Sequence, residues 1–551
     1  MDLKKTFVKI FSFLKKEYYL LSVPLIFLSF PSYDAFFMKL FPFWAWVSLV
    51  PLFHYAASAP LRGLYLKTFL MGLLANYLCF SWIGHFGAKV PGGYAVILSA
   101  LIPALTVFFT LKIIAAEWIS RRFPSLRFLI YPSVWIIIDW IQSIGFLAFP
   151  WPYWGYSQYP FTPFIQLASF TGIYGITFVL ITSNILIAEF IKMKYSAGPH
   201  VDNRKFAPES VRLMVLGGFA ALVITGGAIF ISANPRPPQL SESRKGYRVA
   251  MVQSCISPWE SWNINRYRYL KELVEYTDRS LVHDPDIIIW SESATLETIH
   301  YDYLKDTVNS FQNQLFDYVR AAGRPLLTGE IGIIEKNDNS GRRMMHPLNN
   351  AVFINEKGVP VKTYSKINLV PIGEWFPYEK WFPFVKKIAD SFGASSFVPG
   401  EYPSLFEVDG HAFGALICYE GIFHRLCRRY RLMGADMLVN ITNDGWTDTY
   451  SGHMQHYSAS VFRAVENGIW MLRAGNTGYT AAVDPYGRVT GSIPILQQGY
   501  LAADVDFSMN RDTFYTMAGD IILYLAMILI AVLSIVFGTE LYRNRKCLTK
   551  E

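Results

Sequence analysis

The chain has 551 residues, 52% of them apolar and 17% charged, against roughly 25% charged in an average soluble domain, which excludes a single ordinary soluble domain. An aromatic share of 16% supplies too many large apolar side chains for a disordered or low-complexity chain. The formal charge of +8 suits nucleic acid or anionic lipid only until the charges are placed along the chain, and the five cysteines form neither a disulfide framework nor a zinc spacing.

Up to about residue 240 the chain is a succession of apolar runs, each near the ~20 residues that a helix needs to cross a ~30 Å hydrocarbon core. Seven are expected there: Tyr18 to Pro31, Phe36 to Ala57, Thr68 to Gly84, Gly92 to Ala116, Phe128 to Phe149, Phe164 to Ile191 and Leu213 to Ala233. An eighth runs from Met517 to Gly538. Lys and Arg collect in alternate loops, at Lys4, Lys5, Lys9, Lys15 and Lys16, then Arg62 and Lys67, Arg121, Arg122 and Arg127, Lys192 to Arg212, and Arg543 to Lys550. Cytoplasmic loops carry this excess, so both termini are expected in the cytoplasm and residues 245–510 on the outer face. The positive charge is then an orientation signal, and nucleic acid is not an expected partner. The Lys-rich start lacks a small-residue cleavage site and is taken as a retained anchor.

From residue 245 to 510 the pattern changes to short apolar runs bounded by turns, alternating with amphipathic stretches, which describes a globular α/β domain. Strands are expected at Tyr247 to Cys255, Asp286 to Trp290, Pro325 to Ile334, Ala351 to Ile354, Ala412 to Cys418, Met437 to Ile441, Met471 to Val483 and Tyr500 to Val505. Helices are expected at Trp262 to His283, Tyr303 to Ala322, Gly421 to Met433 and His453 to Asn467. A Pro-rich linker, Asn234 to Lys245, precedes this domain, and residues 511–551 hold the last span and tail.

Three residues in the outer domain could carry chemistry. Cys418 ends an apolar strand and precedes a helix, where backbone N–H groups favour thiolate and oxyanion; a Cys in that position alone is more often a packed core thiol. Glu292 emerges in Trp290-Ser291-Glu292-Ser293 at a strand end, where α/β sheets place their sites, or is a surface Glu opening a loop. Lys366 lies in Tyr364-Ser365-Lys366-Ile367-Asn368-Leu369-Val370-Pro371, a run too apolar for an ordinary solvated loop, or simply faces solvent. Together they supply a nucleophile, a base to take its proton and a cation for the tetrahedral oxyanion.

The order Glu, then Tyr-x-Lys-x-x-Leu-Val-Pro-x-Gly-Glu, then Ile-Cys-Tyr-Glu resembles the nitrilase (carbon–nitrogen hydrolase) superfamily, and the arrangement of spans around it resembles the apolipoprotein N-acyltransferase family. Further matches are Ser81-Trp82 with His85-Phe86-Gly87, Phe149-Pro150-Trp151 with Gly155-Tyr156-Ser157-Gln158, Asn443-Asp444-Gly445-Trp446, Gln455-His456, Arg463 to Glu466 and Arg473 to Gly478. Departures fall at Ser291, Ser254-Cys255 and Ile372, and bear on pocket shape and lipid preference.

The resemblance implies a polytopic α-helical membrane domain of about eight spans plus an extracytoplasmic nitrilase-like αββα sandwich. It implies Cys418 as acylated nucleophile, Glu292 as general base and Lys366 as oxyanion stabiliser. Glu374, Glu420 and Tyr419 are implied as supporting residues, with Trp262 and Asn349 around the substrate or merely packed. No cofactor and no metal are implied; the neighbouring Gln455-His456 and His453 lack a carboxylate at ligand spacing and read as a polar helix start. An outer-face enzyme has no cytoplasmic ATP or acyl-coenzyme A, so the acyl group must arrive activated, as a membrane phospholipid ester. The implied acceptor is the N-terminal α-amino group of a diacylated bacterial apolipoprotein, the implied location the inner membrane, and the working unit a monomer. A membrane-tethered amidase and a non-catalytic lipoprotein-binding scaffold are the alternatives. The aromatic stretch from Glu374 through Trp381 to Phe384 is ordinary loop packing or, as expected here, a lid dipping into the membrane.

Overall fold

The computed structural model describes residues 16–32, 41–87, 92–145, 148–196, 207–234, 246–337, 341–371, 373–375, 397–447 and 449–548. The expected lid beyond Trp375, the N-terminal lysines up to Lys15 and most of the Pro-rich linker lie outside these residues.

The N-terminal half is helical: α1 (Ser22–Leu28), α2 (Val50–Ala56), α3 (Leu61–Phe80), α4 (Gly93–Ser120), α5 (Arg127–Gln142), α6 (Ala168–Ser196) and α7 (Ala207–Ala233). Among the described residues, five helices are long and apolar enough to cross a membrane: α3, α4, α6, α7 and a C-terminal helix within residues 521–548. The other three expected runs form shorter helices. Pro42 and Pro51 interrupt the second run, leaving the short turn Phe41–Trp44 and α2, because proline at these positions starts a helix but cannot continue one. Helix α6 is the hub, with 78% of its apolar window buried, whereas α7 is only 11% buried. Leu222 and Ile229 of α7 therefore turn outward, as does Ile528 near the C-terminus; apolar side chains in this position suit lipid and not water.

The second half is a four-layer sandwich. One sheet has strand order β12-β1-β2-β3-β4-β5 and the other β11-β10-β9-β8-β7-β6. The first is built from β1 (Tyr247–Gln253), β2 (Ile287–Ile289), β3 (Leu326–Asn337), β4 (Arg343–Ile354), β5 (Pro360–Ser365) and the late strand β12 (Gly499–Val505). The second contains β6 (Leu405–Val408), β7 (His411–Ile417), β8 (Met437–Thr442), β9 (Trp470–Gly475), β10 (Thr480–Val483) and β11 (Val489–Ile493). Strand side chains alternate between faces, and the first sheet uses both. Val249, Met251, Ile289, Leu327 and Phe353 pack inward among Phe413, Ala415 and Val439 of the other sheet. Val252, Ile288, Trp290, Leu326 and Val352 pack outward on α8 (Trp262–Leu281) and α10 (Ser310–Ala322), through Leu273, Phe311 and Leu315. The outer face of the second sheet carries α11 (His424–Leu432) and α12 (Tyr450–Asn467), and the chain closes with α13 (Ile521–Leu548).

Several boundaries differ from expectation for local reasons. The helix expected from Tyr303 to Ala322 is two helices, α9 (Ile299–Lys305) and α10, because Asp306 takes a left-handed conformation and Asn309 caps the second helix. The long strand expected from Met471 to Val483 breaks into β9 and β10. Strands β5, β6 and β11 were not anticipated: each has only four to six residues, and β6 offers only Leu405, Phe406 and Val408 as apolar signal. Cys255 and Cys427 form no disulfide.

Candidate active site

Both sheets run parallel strands toward the same end, and the sequence-expected residues meet there. Strand β2 is three consecutive isoleucines, all buried, and the chain leaves it through Trp290 and Ser291 into Glu292. Gly329 on β3 permits this exit: a Cβ there would come within 2.4 Å of the Ser293 nitrogen. Glu292 is held by both oxygens, Oε1 accepting from Asn349 Nδ2 at 2.9 Å and Oε2 from the Asn443 backbone N–H at 2.8 Å.

Lys366 follows β5 and is 1% exposed. Its Nζ lies 2.9 Å from Glu374 Oε1 and 3.5 Å from Glu292 Oε1. Asn349 Nδ2 also donates to Glu374 Oε1 at 2.8 Å, so one amide ties both carboxylates together. The Lys366 backbone N–H donates to the Asn349 carbonyl at 2.8 Å, which fixes the lysine relative to that bridge. Glu374 Oε2 accepts from the Val370 N–H at 2.7 Å.

Cys418 begins a single 3₁₀ turn, Cys418–Ile422, directly after β7. It is partly exposed and adopts φ = 50°, a left-handed conformation rare outside glycine. Glu420 builds this corner: Oε2 accepts from the Ile417 N–H at 2.9 Å, and Oε1 accepts from Tyr364 Oη and the Ile367 N–H, both at 2.8 Å, and from the Asn368 N–H at 3.1 Å. One buried carboxylate thus joins the approach to Cys418 to the segment after Lys366. Tyr419 points to the membrane half, donating to the Ala148 carbonyl at 2.6 Å and stacking on Trp151.

Two buried carboxylates share one lysine, and the charges respond accordingly. Burial pushes the Glu292 carboxyl up, Lys366 pulls it down, and Glu374 pushes it up again, leaving it above the usual carboxylate range. Burial disfavours the Lys366 ammonium, but Glu374 and Glu292 outweigh it and hold the proton more tightly than usual. Burial and Glu292 push the Cys418 thiol up while Lys366 draws it down. Burial pushes Glu420 up to about 7, against its backbone and Tyr364 hydrogen bonds. The arrangement can pass a proton between a thiol and a carboxyl while a fixed cation stands beside both.

Trp262 is placed elsewhere. Its indole donates to Glu297 Oε1 at 3.0 Å and packs on Phe311 and Tyr269, a setting in the outward-facing core. Among the described residues, Cys418, Asp444 and His456 bring potential metal-ligand atoms within 4.8 Å of one another. Asp444 is already engaged by His456, Arg473 and Thr442, so the group reads as a hydrogen-bonded network. Asn443 escaped the residue-by-residue reading because its contribution is a backbone N–H; only its place in Asn443-Asp444-Gly445-Trp446 signalled it.

Family comparison covers both halves of the chain. The model described as "Apolipoprotein N-acyltransferase N-terminal domain" matches residues 23–186, and that described as "Carbon-nitrogen hydrolase" matches residues 248–515. A relative from Treponema pallidum, "Apolipoprotein N-acyltransferase 1", is 30% identical over 435 residues, covering 76% of this chain and 75% of the relative. The chain belongs to the apolipoprotein N-acyltransferase family. The family likeness spans almost the whole length in the "Apolipoprotein N-acyltransferase" of Geobacter metallireducens, 29% identical over 95% of each chain. The "Apolipoprotein N-acyltransferase 1" of Treponema denticola is 28% identical over 87% of this chain and 88% of its own. Among solved structures, an amidase from Nesterenkonia sp. is 20% identical, covering 49% of this chain and 94% of that one, with a TM-score of 0.35.

Proposed function

We propose that this chain moves a fatty acyl group from a membrane phospholipid, through a thioester on Cys418, to the N-terminal α-amino group of diacylglyceryl-cysteine in bacterial apolipoproteins. The observation that carries the reading is the buried group of Glu292, Lys366, Glu374 and Asn349 beside a cysteine held in a left-handed conformation, in a chain whose family is that of the N-acyltransferases.

Glu292 takes the Cys418 proton, and the sulfur attacks the phospholipid ester carbonyl. Lys366 faces the oxyanion of the tetrahedral intermediate, and Glu374 with Asn349 keeps the ammonium in place. Collapse breaks the carbon–oxygen bond; the departing lysophospholipid alkoxide takes the proton from Glu292 and leaves a thioester. The acceptor amine then attacks, its proton passes to Glu292, and the Cys418 thiolate departs and is reprotonated. The first product leaves before the acceptor is used, which is ping-pong behaviour.

The reading places the chain in the inner membrane as a monomer, with both termini cytoplasmic and residues 245–510 on the outer face. Tyr419 and Trp151 seat Cys418 against the membrane half, where its donor resides. The match of residues 23–186 to the N-acyltransferase N-terminal domain weighs against a small-amide hydrolase.

The test is transfer of a radiolabelled acyl chain from phospholipid to a diacylglyceryl-cysteine peptide by the full chain in nanodiscs. Label is expected in the peptide amide with wild type and not with Cys418→Ala. Equal transfer by both would remove Cys418 from the mechanism, and release of free fatty acid alone would make the chain a lipid hydrolase.

A further inference from the structure

The Cys418 carbonyl is gripped by two side chains of the second sheet and its covering helix. Asn440 Nδ2 donates to it at 3.2 Å, and His456 Nε2 lies 3.1 Å from it. Each donor is itself oriented. Arg473 Nη1 donates to Asn440 Oδ1 at 2.7 Å, and Asp444 Oδ1 lies 2.7 Å from His456 Nδ1. Arg473 Nη2 closes the ring on Asp444 Oδ2 at 2.5 Å, and burial notwithstanding, Arg473 and His456 hold the Asp444 carboxyl well below its usual range. All four residues are buried. A carbonyl oxygen can only accept, so the contact is a hydrogen bond with the proton on His456 Nε2, and Arg473 Nη2, 3.1 Å from Nδ1, donates to the other ring nitrogen.

Gly478 leaves the space that this carboxylate fills, since a Cβ there would lie 2.1 Å from Asp444 Oδ2. The strained backbone at Cys418 supplies the reason for the grip. A non-glycine residue in the left-handed region is strained and persists only where its surroundings over-determine it.

The same helix reaches the membrane half through the preceding residue. Gln455 Oε1 accepts from Trp82 Nε1 at 3.1 Å and Trp151 Nε1 at 3.2 Å, and its Nε2 donates to the Cys79 carbonyl at 3.0 Å. The Trp151 ring lies 5.1 Å from the His456 ring and also stacks on Tyr419.

We propose that Asp444 and His456 are positioning residues for the nucleophile: His456, oriented by the Arg473 guanidinium that Asp444 anchors, fixes Cys418 through its main-chain carbonyl, and Gln455 makes that grip depend on seating against the membrane half. The inference rests on the reading of Cys418 as the acylated residue. A dipeptide that looks like a polar helix start thus becomes the link between lipid-side packing and thiol placement.

The test uses the full chain in nanodiscs, following three quantities: acyl-Cys418 formation against phospholipid concentration, alkylation of Cys418 by iodoacetamide, and the thermal midpoint. His456→Ala is expected to lower the maximal acylation rate about 10- to 100-fold, with the half-saturating phospholipid concentration moved less than about threefold. His456→Gln places an amide donor near the Nε2 position and is expected to recover at least about tenfold of that loss. Wild-type acylation by His456→Ala overturns the proposal, as does a His456→Gln variant no faster than His456→Ala at an unchanged midpoint. Should His456→Ala not fold, Asp444→Asn decides: a loss of about tenfold or more supports the proposal and a wild-type rate overturns it. If wild type itself takes no acyl group, the acyl-enzyme reading fails; the positioning claim then stands or falls on whether His456→Ala slows alkylation.

Discussion

Each half of the molecule buries a lysine, and the two are treated differently. In the membrane half, Lys112 of α4 meets Asp139 of α5 one to one at 2.5 Å, with both side chains inaccessible. In the carbon–nitrogen hydrolase domain, Lys366 is shared by Glu374 at 2.9 Å and Glu292 at 3.5 Å. A one-to-one pair is electrically closed and has no charge left to offer. Two carboxylates share one ammonium here, and burial first, with Glu374 adding to it against the pull of Lys366, holds the Glu292 carboxyl above its usual range. The proposed mechanism uses that setting: Glu292 takes the proton, Cys418 gives it and Lys366 stays as the fixed cation.

Variants in both halves separate the two lysines by their effects. The largest effect is expected from Cys418→Ala, which should lower acyl transfer about 10⁴-fold or more with the thermal midpoint unchanged, measured by product formation. Glu292→Gln should cost about 10²- to 10⁴-fold in the acylation half-reaction, and Lys366→Met about 10²- to 10³-fold, read by rapid quench. Lys112→Met should act on the fold: leaving Asp139 buried without its partner costs about 3–5 kcal/mol, while the rate per folded molecule holds. Replacing Asp139 by Leu in the same chain should restore much of the midpoint. A Lys112→Met variant with normal stability and lost chemistry would erase the distinction drawn here.

The smallest expected effects are in pH dependence. In the proposed mechanism Glu292 is the base and acts only when ionised, so the acylation rate should fall as pH drops through its raised value. Because Glu374 contributes to that rise, Glu374→Gln should move the acid limb to lower pH. Glu420 binds its proton more tightly folded, at about 7, than its ordinary 4.5. Its contribution to stability is therefore complete below about 4.5 and lost as pH rises through about 7, and Glu420→Gln should flatten the thermal midpoint across that window.

Much of this was readable in advance where a residue's signal was its own. Ile287-Ile288-Ile289 announces a buried strand, with a carboxylate three residues later at its end. Cys418, Glu292 and Lys366 each had a bland reading alone, and only their order and the motifs around them marked them as a set. The bridging role of Asn349 was not legible, because it depends on β4 and β5 pairing Asn350 with Ser365, a register that the short β5 did not disclose. The break at Asp306 and the Glu297 partner of Trp262 are tertiary facts. His456 was misjudged for a related reason: its partners Asp444 and Cys418 lie 12 and 38 residues away, so ligand spacing along a helix is the wrong measure.

The most direct test of the account is peptide mass spectrometry of the full chain after incubation with phospholipid and before any acceptor is added. A fatty-acyl mass on the Cys418 peptide, removed by hydroxylamine and discharged by a diacylglyceryl-cysteine peptide, is the predicted result. Peptide acylation proceeding at full rate with Cys418 unmodified at every time point would contradict it.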